Sequence, residues 1–247
     1  MTAWSADVSQ MTFLPALQPV TMERRGMMMT NGCFRTRSRQ LVLALLLGVL
    51  ALAACHGKAQ EQKEEAGKLA TLLNWKPGSV VAEIGAGEGG LTLAAAERVG
   101  PTGRVYTTEL AADKLAKLES LAAAQKAHNI IAVKAGEAGT NLPRECCDSI
   151  FMRRVYHHFT QPAQEDASLF QSLKPGGLLA VIDFQPGEGP GDLKPPKGVP
   201  KNRGGHGMPK QLLIDELTAA GFQLVTSPAD WSSPDYCVVF RKAGNRE

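Results

Sequence analysis

Short apolar runs alternate with amphipathic stretches from about residue 69 to residue 242. The runs have the length and β-branched content of buried strands, and the stretches repeat apolar residues at helical spacing. The pattern predicts helices at 91–98, 111–127 and 211–220, and seven strands, at 80–83, 103–109, 129–134, 148–152, 178–183, 222–226 and 236–241. This alternation is typical of an α/β fold, for which we expect a mostly parallel sheet with helices on both faces and the last strand antiparallel.

A glycine cluster directly follows the first strand. Gly85, Ala86 and Gly87 separate the strand from an alanine-rich helix. Glycines let a ligand approach the backbone, and the first N–H groups of a helix are free to bind it, so the turn predicts a nucleotide cofactor. Gly85-x-Gly87-x-x-Gly90, with Glu109 beyond it, also fits the dinucleotide fingerprint. This turn alone therefore does not distinguish a nicotinamide cofactor from other nucleotide cofactors.

Three further segments narrow the choice. The second strand ends in Glu109. The fourth strand lies in Cys147–Phe159, which begins near an acid and ends in polar and aromatic residues. The fifth strand follows a Lys-Pro-Gly-Gly run, Lys174–Gly177. With Glu83 two residues before the first glycine, this ordered set resembles the class I S-adenosylmethionine-dependent methyltransferases. It is most similar to the small-molecule branch that includes ubiquinone/menaquinone-biosynthesis and arsenite methyltransferases. The resemblance covers roughly residues 73–242 and implies a Rossmann-like, doubly wound seven-stranded sheet.

The resemblance also implies that S-adenosylmethionine is the cofactor and assigns residues to it. Glu83 would lie near the methionine amino group, or brace the glycine turn, or cap backbone N–H groups. Glu109 would accept hydrogen bonds from the ribose hydroxyls, with a helix N-cap neighbour as its alternative role. Glu137 would accept from the adenine amino group, and Arg153 completes the predicted cofactor set.

The strand-four lip carries the predicted catalytic residues Tyr156, His157 and His158. A histidine of near-neutral pKa can deprotonate an acceptor during methyl transfer. Alternatively, one histidine packs against the sheet and the other lines the pocket wall without moving a proton. Because no cysteine or acid at ligand spacing joins the pair, the sequence predicts no metal site.

The stretch from Pro186 to Lys210 is rich in proline and glycine and cannot hold a regular strand ladder. We expect it to cover the active site, with His206 able to swing in. An anionic substrate and an ordinary soluble flap are both compatible with its basic residues, which are Lys194, Lys197, Lys201, Arg203 and Lys210.

The length, charge and cysteine content of the chain exclude some classes of protein. A chain of 247 residues with 44% apolar content can bury one sizeable core. Residues 1–55 hold five basic and two acidic residues, which leaves 22 of each sign in the remainder. A neutral domain does not favour nucleic-acid binding, and no obligate protein partner is evident. The five cysteines do not form a disulfide framework, and buried free thiols are expected.

The N-terminal residues predict export. Arginines between 35 and 39 precede a 14-residue apolar run, Leu41–Ala54, which is followed by Cys55. The run would span about 21 Å as a helix, too short for a hydrocarbon core of about 30 Å. It is typical of a secretory signal, and Leu52-Ala53-Ala54-Cys55 matches the bacterial lipobox, which predicts lipidation at Cys55. An uncleaved signal anchor is the alternative, and both place the domain outside the cytoplasm.

We therefore expect residues 1–55 to be a leader with an over-extended start, 56–70 a polar tether and 71–247 the methyltransferase domain. The predicted location is the periplasmic side of the cell envelope. Because aspartate does not follow Cys55, the outer membrane is favoured over the inner membrane.

Three functions remain at this point. The favoured one is methyl transfer from S-adenosylmethionine to an unidentified small molecule. A nicotinamide-dependent oxidoreductase explains the glycine turn but not the other segments. A non-catalytic, lipid-anchored S-adenosylmethionine-binding module is the third, because the cofactor is made in the cytoplasm and the domain is predicted to lie outside it.

Overall fold

The computed structural model describes residues 57–189, 194–195 and 197–243. Seven strands form one sheet in the order β3-β2-β1-β4-β5-β7-β6. They are β1 (Val80–Ile84), β2 (Arg104–Glu109), β3 (Ile130–Lys134), β4 (Cys147–Arg153), β5 (Leu173–Phe184), β6 (Phe222–Thr226) and β7 (Asp235–Lys242). The β1–β2, β1–β4, β2–β3 and β4–β5 pairs are parallel, and β7 runs antiparallel to both β5 and β6. The predicted fold class is confirmed.

Helices connect the strands. Residues 57–72 are helical and are called α1. The others are α2 (Gly90–Val99), α3 (Ala112–Ala124), α4 (Pro162–Ser172) and α5 (Lys210–Ala219), and short 3₁₀ turns lie at Tyr156–His158 and Lys201–Arg203. No helix in the described ranges is both long and apolar enough to span a bilayer.

The sheet buries an apolar cluster on each face. Alternate side chains of a strand point to opposite faces, so neighbours in β1 separate: Ala82 joins one cluster and Val81 the other. The first cluster includes Leu213 of α5, and the second includes Leu69 of α1 and Ala95 of α2. Two covered faces leave the strand ends as the place where polar side chains can meet a ligand.

The predicted polar tether at 56–70 is corrected by α1. Ala66 and Leu69 are fully buried and Leu73 nearly so, because the spacing of three and four residues places them on one helix face. This face packs on the sheet, and the folded domain therefore begins before residue 71. The predicted leader, with Cys55, lies outside the described residues.

The Lys-Pro-Gly-Gly segment is part of β5 rather than a separate turn. Helix α4 ends at Ser172, and β5 begins at Leu173 in extended conformation. The pairing of β4 with β5 shifts register between Cys147 and Ser149, which accommodates these residues. A Cβ on Gly177 would lie 2.9 Å from the Lys174 carbonyl oxygen, so this irregular start of the strand requires glycine there.

Candidate active site

A cavity of about 330 Å³ opens at the carboxyl ends of β1, β2 and β4. Its wall includes Gly85 and Gly87 after β1, Glu109 at the end of β2, and Arg153 and His158 at the end of β4. The strand order reverses at β1, which lies between β2 and β4. Ligands of open α/β sheets bind at such a switch point, outside the carboxyl ends of the strands.

The two glycines of the turn are needed for different reasons. Gly85 has a φ of 67°, and a Cβ there would lie 2.6 Å from Cγ2 of Val155. Gly87 has a φ of 55°, and a Cβ there would meet nothing within 4 Å. Ala86 between them is buried, and its N–H donates to the Thr108 carbonyl oxygen at 3.1 Å. Gly85 thus permits close packing, whereas Gly87 leaves open space at the cavity wall.

Glu109 connects the end of β2 to this turn. Its Oε1 accepts a hydrogen bond from the Gly87 N–H at 2.6 Å, and only 7% of the residue is exposed. The neighbouring Leu110 is 60% exposed and also lines the cavity. A carboxylate beside an exposed apolar side chain suits a ligand that carries both hydroxyls and an aromatic ring. The sequence prediction missed Leu110, whose signal is its place next to the strand-end acid.

Glu83 is buried beneath the turn and does not line the cavity. Its carboxylate accepts a hydrogen bond from the Thr92 hydroxyl of α2. Burial raises the pKa of Glu83 to about 8. The structure thus shows Glu83 bracing α2 against β1, and its role near a methionine amino group stays a prediction.

Two arginines at the end of β4 line the wall, and both are ion-paired with carboxylates. Arg154 Nε lies 2.9 and 3.0 Å from the two carboxylate oxygens of Asp235. Arg153 Nε lies 3.2 Å from Oε1 of Glu65, which belongs to α1, and its Nη2 lies 3.5 Å from Asp235 Oδ2. Helix α1 therefore helps to build the site. The cofactor role of Arg153 stays a prediction.

Glu137 is exposed in the turn after β3. Its neighbours Gly136 and Gly139 line the cavity and bridge each other, but the Glu137 side chain does not line it. The structure brings this backbone turn to the site without the carboxylate, and the predicted contact with adenine stays a prediction.

Tyr156 is placed away from the cavity. It is fully buried, with its hydroxyl 2.9 Å from Asp166 Oδ2 and 3.0 Å from Glu216 Oε2. Arg203, which the sequence placed in a basic flap, is also fully buried, and its Nη2 lies 3.1 Å from Glu216 Oε2. Both expectations are corrected. A 3₁₀ turn points successive side chains about 120° apart, and Tyr156 takes the direction of the core.

His157 is fixed by a buried acid. Asp183, at the end of β5, accepts from the His157 backbone N–H at 3.1 Å, and its Oδ1 lies 2.8 Å from Nδ1 of the ring. His157 is 1% exposed, and its Nε2 is buried with no hydrogen-bond partner among the described residues. The sequence prediction missed Asp183, although an acid at the end of the fifth strand is a signal for it.

His158 takes the third direction and lines the cavity, and its pKa is lowered by desolvation and by the neighbouring His157. One histidine packed on the sheet and one in the wall is the arrangement that the non-catalytic alternative described. The base role of either histidine stays a prediction.

His206 joins the pair from the loop before α5. Its ring centroid lies 4.8 Å from that of His157, and the rings meet edge to face. The expectation of no metal site rested on the absence of a third ligand near 157 and 158 in the sequence. The structure supplies a third imidazole from a distant segment.

The fold places the cavity where open α/β sheets bind their ligands, and sequence comparison gives the class of the protein. Residues 81–177 match a family model described as "Methyltransferase domain". This range spans the glycine turn, Glu109 and the two histidines at the end of β4. The chain is a methyltransferase, of the EC 2.1.1 type.

Solved structures share its fold. A SAM-dependent methyltransferase from Aquifex aeolicus is 21% identical, with 72% of this chain and 89% of that chain covered and a TM-score of 0.62. Geranyl diphosphate methyltransferase in complex with SAM is 12% identical, with 73% and 85% covered and a TM-score of 0.57. A protein from Bordetella parapertussis described as a possible exported protein is 20% identical, with 74% and 68% covered and a TM-score of 0.56.

Proposed function

We propose that this protein transfers the methyl group of S-adenosylmethionine to a small molecule. The observation that carries the proposal is the Glu109 carboxylate, held by the Gly87 N–H in the wall of a cavity at the switch point of the sheet. A carboxylate accepts hydrogen bonds and cannot donate them, so it suits the vicinal hydroxyls of a ribose. The methyltransferase match and two SAM-linked structures of the same fold support this choice of cofactor.

Each residue of the cavity has its own proposed role. Glu109 would bind the ribose, Leu110 would contact the adenine ring, and Gly87 would leave room for the cofactor beside the turn. Arg153 and Arg154, which are ion-paired with Glu65 and Asp235, line the same cavity. The cofactor supplies an activated methyl group on a sulfonium. The protein then contributes mainly by orienting donor and acceptor, an effect worth up to about 7–11 kcal/mol in well-aligned systems.

The acceptor is proposed to be small. The cavity volume of about 330 Å³ is at the low end of the range of about 300–1,000 Å³ for small-molecule sites, and the cofactor is proposed to occupy most of it, which leaves little room for an acceptor. The resemblance to quinone-biosynthesis enzymes makes phenolic and quinol-like compounds the first acceptors to screen.

The sheet argues against the nicotinamide alternative. Dinucleotide-binding sheets have the order 3-2-1-4-5-6 with parallel strands. Here the antiparallel β7 lies between β5 and β6. The glycine turn is compatible with both cofactors, and the rest of the sheet favours the methyl donor.

Calorimetry on the purified full-length chain tests the cofactor. We expect micromolar binding of S-adenosylmethionine and S-adenosylhomocysteine and no binding of NAD. Glu109→Ala should weaken binding of the adenosyl ligands, and Glu119→Ala, which changes an exposed glutamate on α3, should not. NAD binding would overturn the proposal. Binding without turnover of any screened acceptor would favour the non-catalytic module.

We also propose that the domain is lipid-anchored at Cys55 on the periplasmic side of the envelope. The Leu52–Cys55 lipobox supports this, as does the Bordetella protein described as a possible exported protein. Membrane fractionation after labelling with a radioactive fatty acid tests it. The wild-type chain should carry label in the membrane fraction, and Cys55→Ala should not. An unlabelled wild-type chain in the cytoplasm would contradict the proposal.

A further inference from the structure

Three imidazoles that no single sequence motif connects lie together at the end of the sheet. One ring nitrogen from each of His157, His158 and His206 can be chosen so that all three atoms lie within 4.8 Å of one another. We propose that these three histidines form a binding site for a divalent transition-metal ion of the zinc type. Three histidines plus one open position is a common ligand set of catalytic zinc.

His157 has the environment of a metal ligand. Its Nδ1 faces the buried Asp183 carboxylate at 2.8 Å, which leaves Nε2 as the free nitrogen, and that atom is buried without a hydrogen-bond partner in the described part of the chain. A buried polar atom without a partner is costly, and an ion would satisfy it. Metal-bound histidines usually give their other ring nitrogen to a carboxylate in this way.

Asp183 is itself held in place. It accepts from the backbone N–H groups of His157, at 3.1 Å, and of Phe184, at 2.9 Å. These bonds fix the carboxylate, and the carboxylate fixes the ring of His157. One ligand of the proposed site is therefore preorganised.

The loop that carries His206 is tied to the end of β5. The Met208 N–H donates to the Phe184 carbonyl oxygen at 2.8 Å, and the Tyr236 hydroxyl donates to the Met208 carbonyl oxygen at 2.6 Å. Gly207 has a φ of 117°, and a Cβ there would lie 2.9 Å from the Phe184 carbonyl oxygen. This close approach brings His206 within 5.0 Å, centroid to centroid, of the Phe184 ring.

The site needs only a small adjustment. Nitrogen ligands at about 2.0–2.1 Å in a tetrahedron lie about 3.3 Å apart. The movement falls to His158, which is exposed, and to His206, which follows two glycines with positive φ, Gly204 and Gly205. His157 stays fixed by Asp183 while the other two imidazoles move towards it.

The position of the ion at the cavity suggests that it activates the methyl acceptor, an inference that rests on the proposed function. His158 lines the cavity at the end of β4, so a metal bound to it lies at the cavity wall. A metal ion at an open coordination position lowers the pKa of a bound hydroxyl or thiol, whose proton is released to solvent. We therefore assign the acceptor class as small molecules with an ionisable hydroxyl or thiol group.

Zinc binding to the full-length chain tests the site without any methyl acceptor. The chain is purified with an affinity tag that contains no histidine, treated with a chelator and titrated with Zn²⁺ against a chromophoric chelator. Elemental analysis gives the stoichiometry, for which we expect one Zn²⁺ per chain. Binding of Co²⁺ should give the visible absorption of a four-coordinate site.

Variants locate the ion. His206→Ala and His158→Ala change side chains outside the core, and each should abolish stoichiometric binding while the circular dichroism spectrum is kept. Asp183→Asn should keep the stoichiometry and weaken affinity about 10- to 100-fold. His128→Ala, an exposed histidine elsewhere, and Cys146→Ser, which removes a thiol 2.7 Å from the Cys147 sulfur, should leave zinc binding unchanged.

These experiments test the histidine metal site independently of the proposed methyl transfer. Zinc binding that survives His206→Ala, or that disappears in Cys146→Ser, overturns the histidine site. Absence of stoichiometric binding by the folded wild-type chain does so as well. Calorimetry with S-adenosylhomocysteine on the chelator-treated chain reports on the methyl-donor site independently of the metal.

Discussion

The backbone N–H of Gly87 donates a 2.6 Å hydrogen bond to the Glu109 carboxylate, which joins the turn after β1 to the end of β2. Glycine at a φ of 55° leaves this turn open at the cavity, and among the described residues the Glu109 carboxylate is the partner of its N–H. The contact places a carboxylate where the cofactor ribose is proposed to bind.

Replacement of Glu109 separates these two roles. Glu109→Ala should weaken S-adenosylhomocysteine binding by about 1.5–3 kcal/mol, the usual worth of hydrogen bonds to a charged group, or about 10- to 150-fold. Glu109→Gln should be intermediate, because its amide oxygen can still accept from Gly87. Calorimetry measures both. Equal affinities for the wild type and Glu109→Ala would contradict the ribose assignment.

Alanine at the two glycines should have different effects. Gly85→Ala places a methyl group 2.6 Å from Val155 at a positive φ, so it should lower the free energy of unfolding by more than the backbone cost of about 1–2 kcal/mol. Gly87→Ala carries only the backbone cost but should weaken S-adenosylhomocysteine binding at the cavity wall.

Gly100→Ala is the matched control for these substitutions. Gly100 has a φ of 70°, a Cβ there would meet nothing within 4 Å, and the residue does not line this cavity. Because Gly100 also has a ψ of 179°, a conformation that is nearly restricted to glycine, Gly100→Ala should lose at least as much stability as Gly87→Ala in urea denaturation. Calorimetry should show unchanged ligand affinity. A clear loss of affinity in Gly100→Ala would show that backbone strain alone explains the Gly87 result.

Tyr156→Phe should act on stability. The substitution removes the hydroxyl between Asp166 and Glu216 and leaves buried carboxylate oxygens with fewer partners, at a cost of about 1–3 kcal/mol. Affinity for S-adenosylhomocysteine should stay at the wild-type value at a temperature where both proteins are folded. Unchanged stability with lost methyl transfer would instead restore the catalytic role.

The buried Glu83 should make stability depend on pH. Because its pKa is raised to about 8, the folded state keeps a proton that the unfolded chain releases above its ordinary pKa of 4.5. This contribution is complete below the ordinary pKa and is lost as the pH rises towards 8. Glu83→Gln cannot ionise, so its stability relative to the wild type should increase with pH over this range.

Urea denaturation at several pH values between about 5 and 8 measures the difference. Burial also raises the pKa values of Glu165 and Asp166 to about 7, which makes stability fall with pH in both proteins. The difference in stability between wild type and Glu83→Gln therefore isolates the effect of Glu83. Parallel pH curves for the two proteins would show that Glu83 titrates normally.

The local sequence pattern predicted the β1–turn–α2 unit, the succession of strands along the chain and the acid at position 109. Strand and helix periodicity and the need for glycine at positive φ are local properties of the chain, and they can be recognised without knowing what packs where. The turn at Gly85 and Gly87 and the strand end at Glu109 were therefore predicted to the residue.

Tertiary structure decided which side chains face the cavity. Consecutive residues of the 3₁₀ turn point in three directions, so Tyr156 enters the core, His157 meets Asp183 and His158 reaches the wall. The parallel pairing of β4 with β5 places Arg153 beside Ile182, and that register brings Asp183 near the turn.

The same reason explains α1 and His206. Whether Ala66 and Leu69 pack on the sheet, and whether a glycine-rich loop returns to the end of β5, depend on contacts between segments far apart in the chain. Local sequence shows which residues can make such contacts, and the packing of the whole sheet selects the partners that they meet.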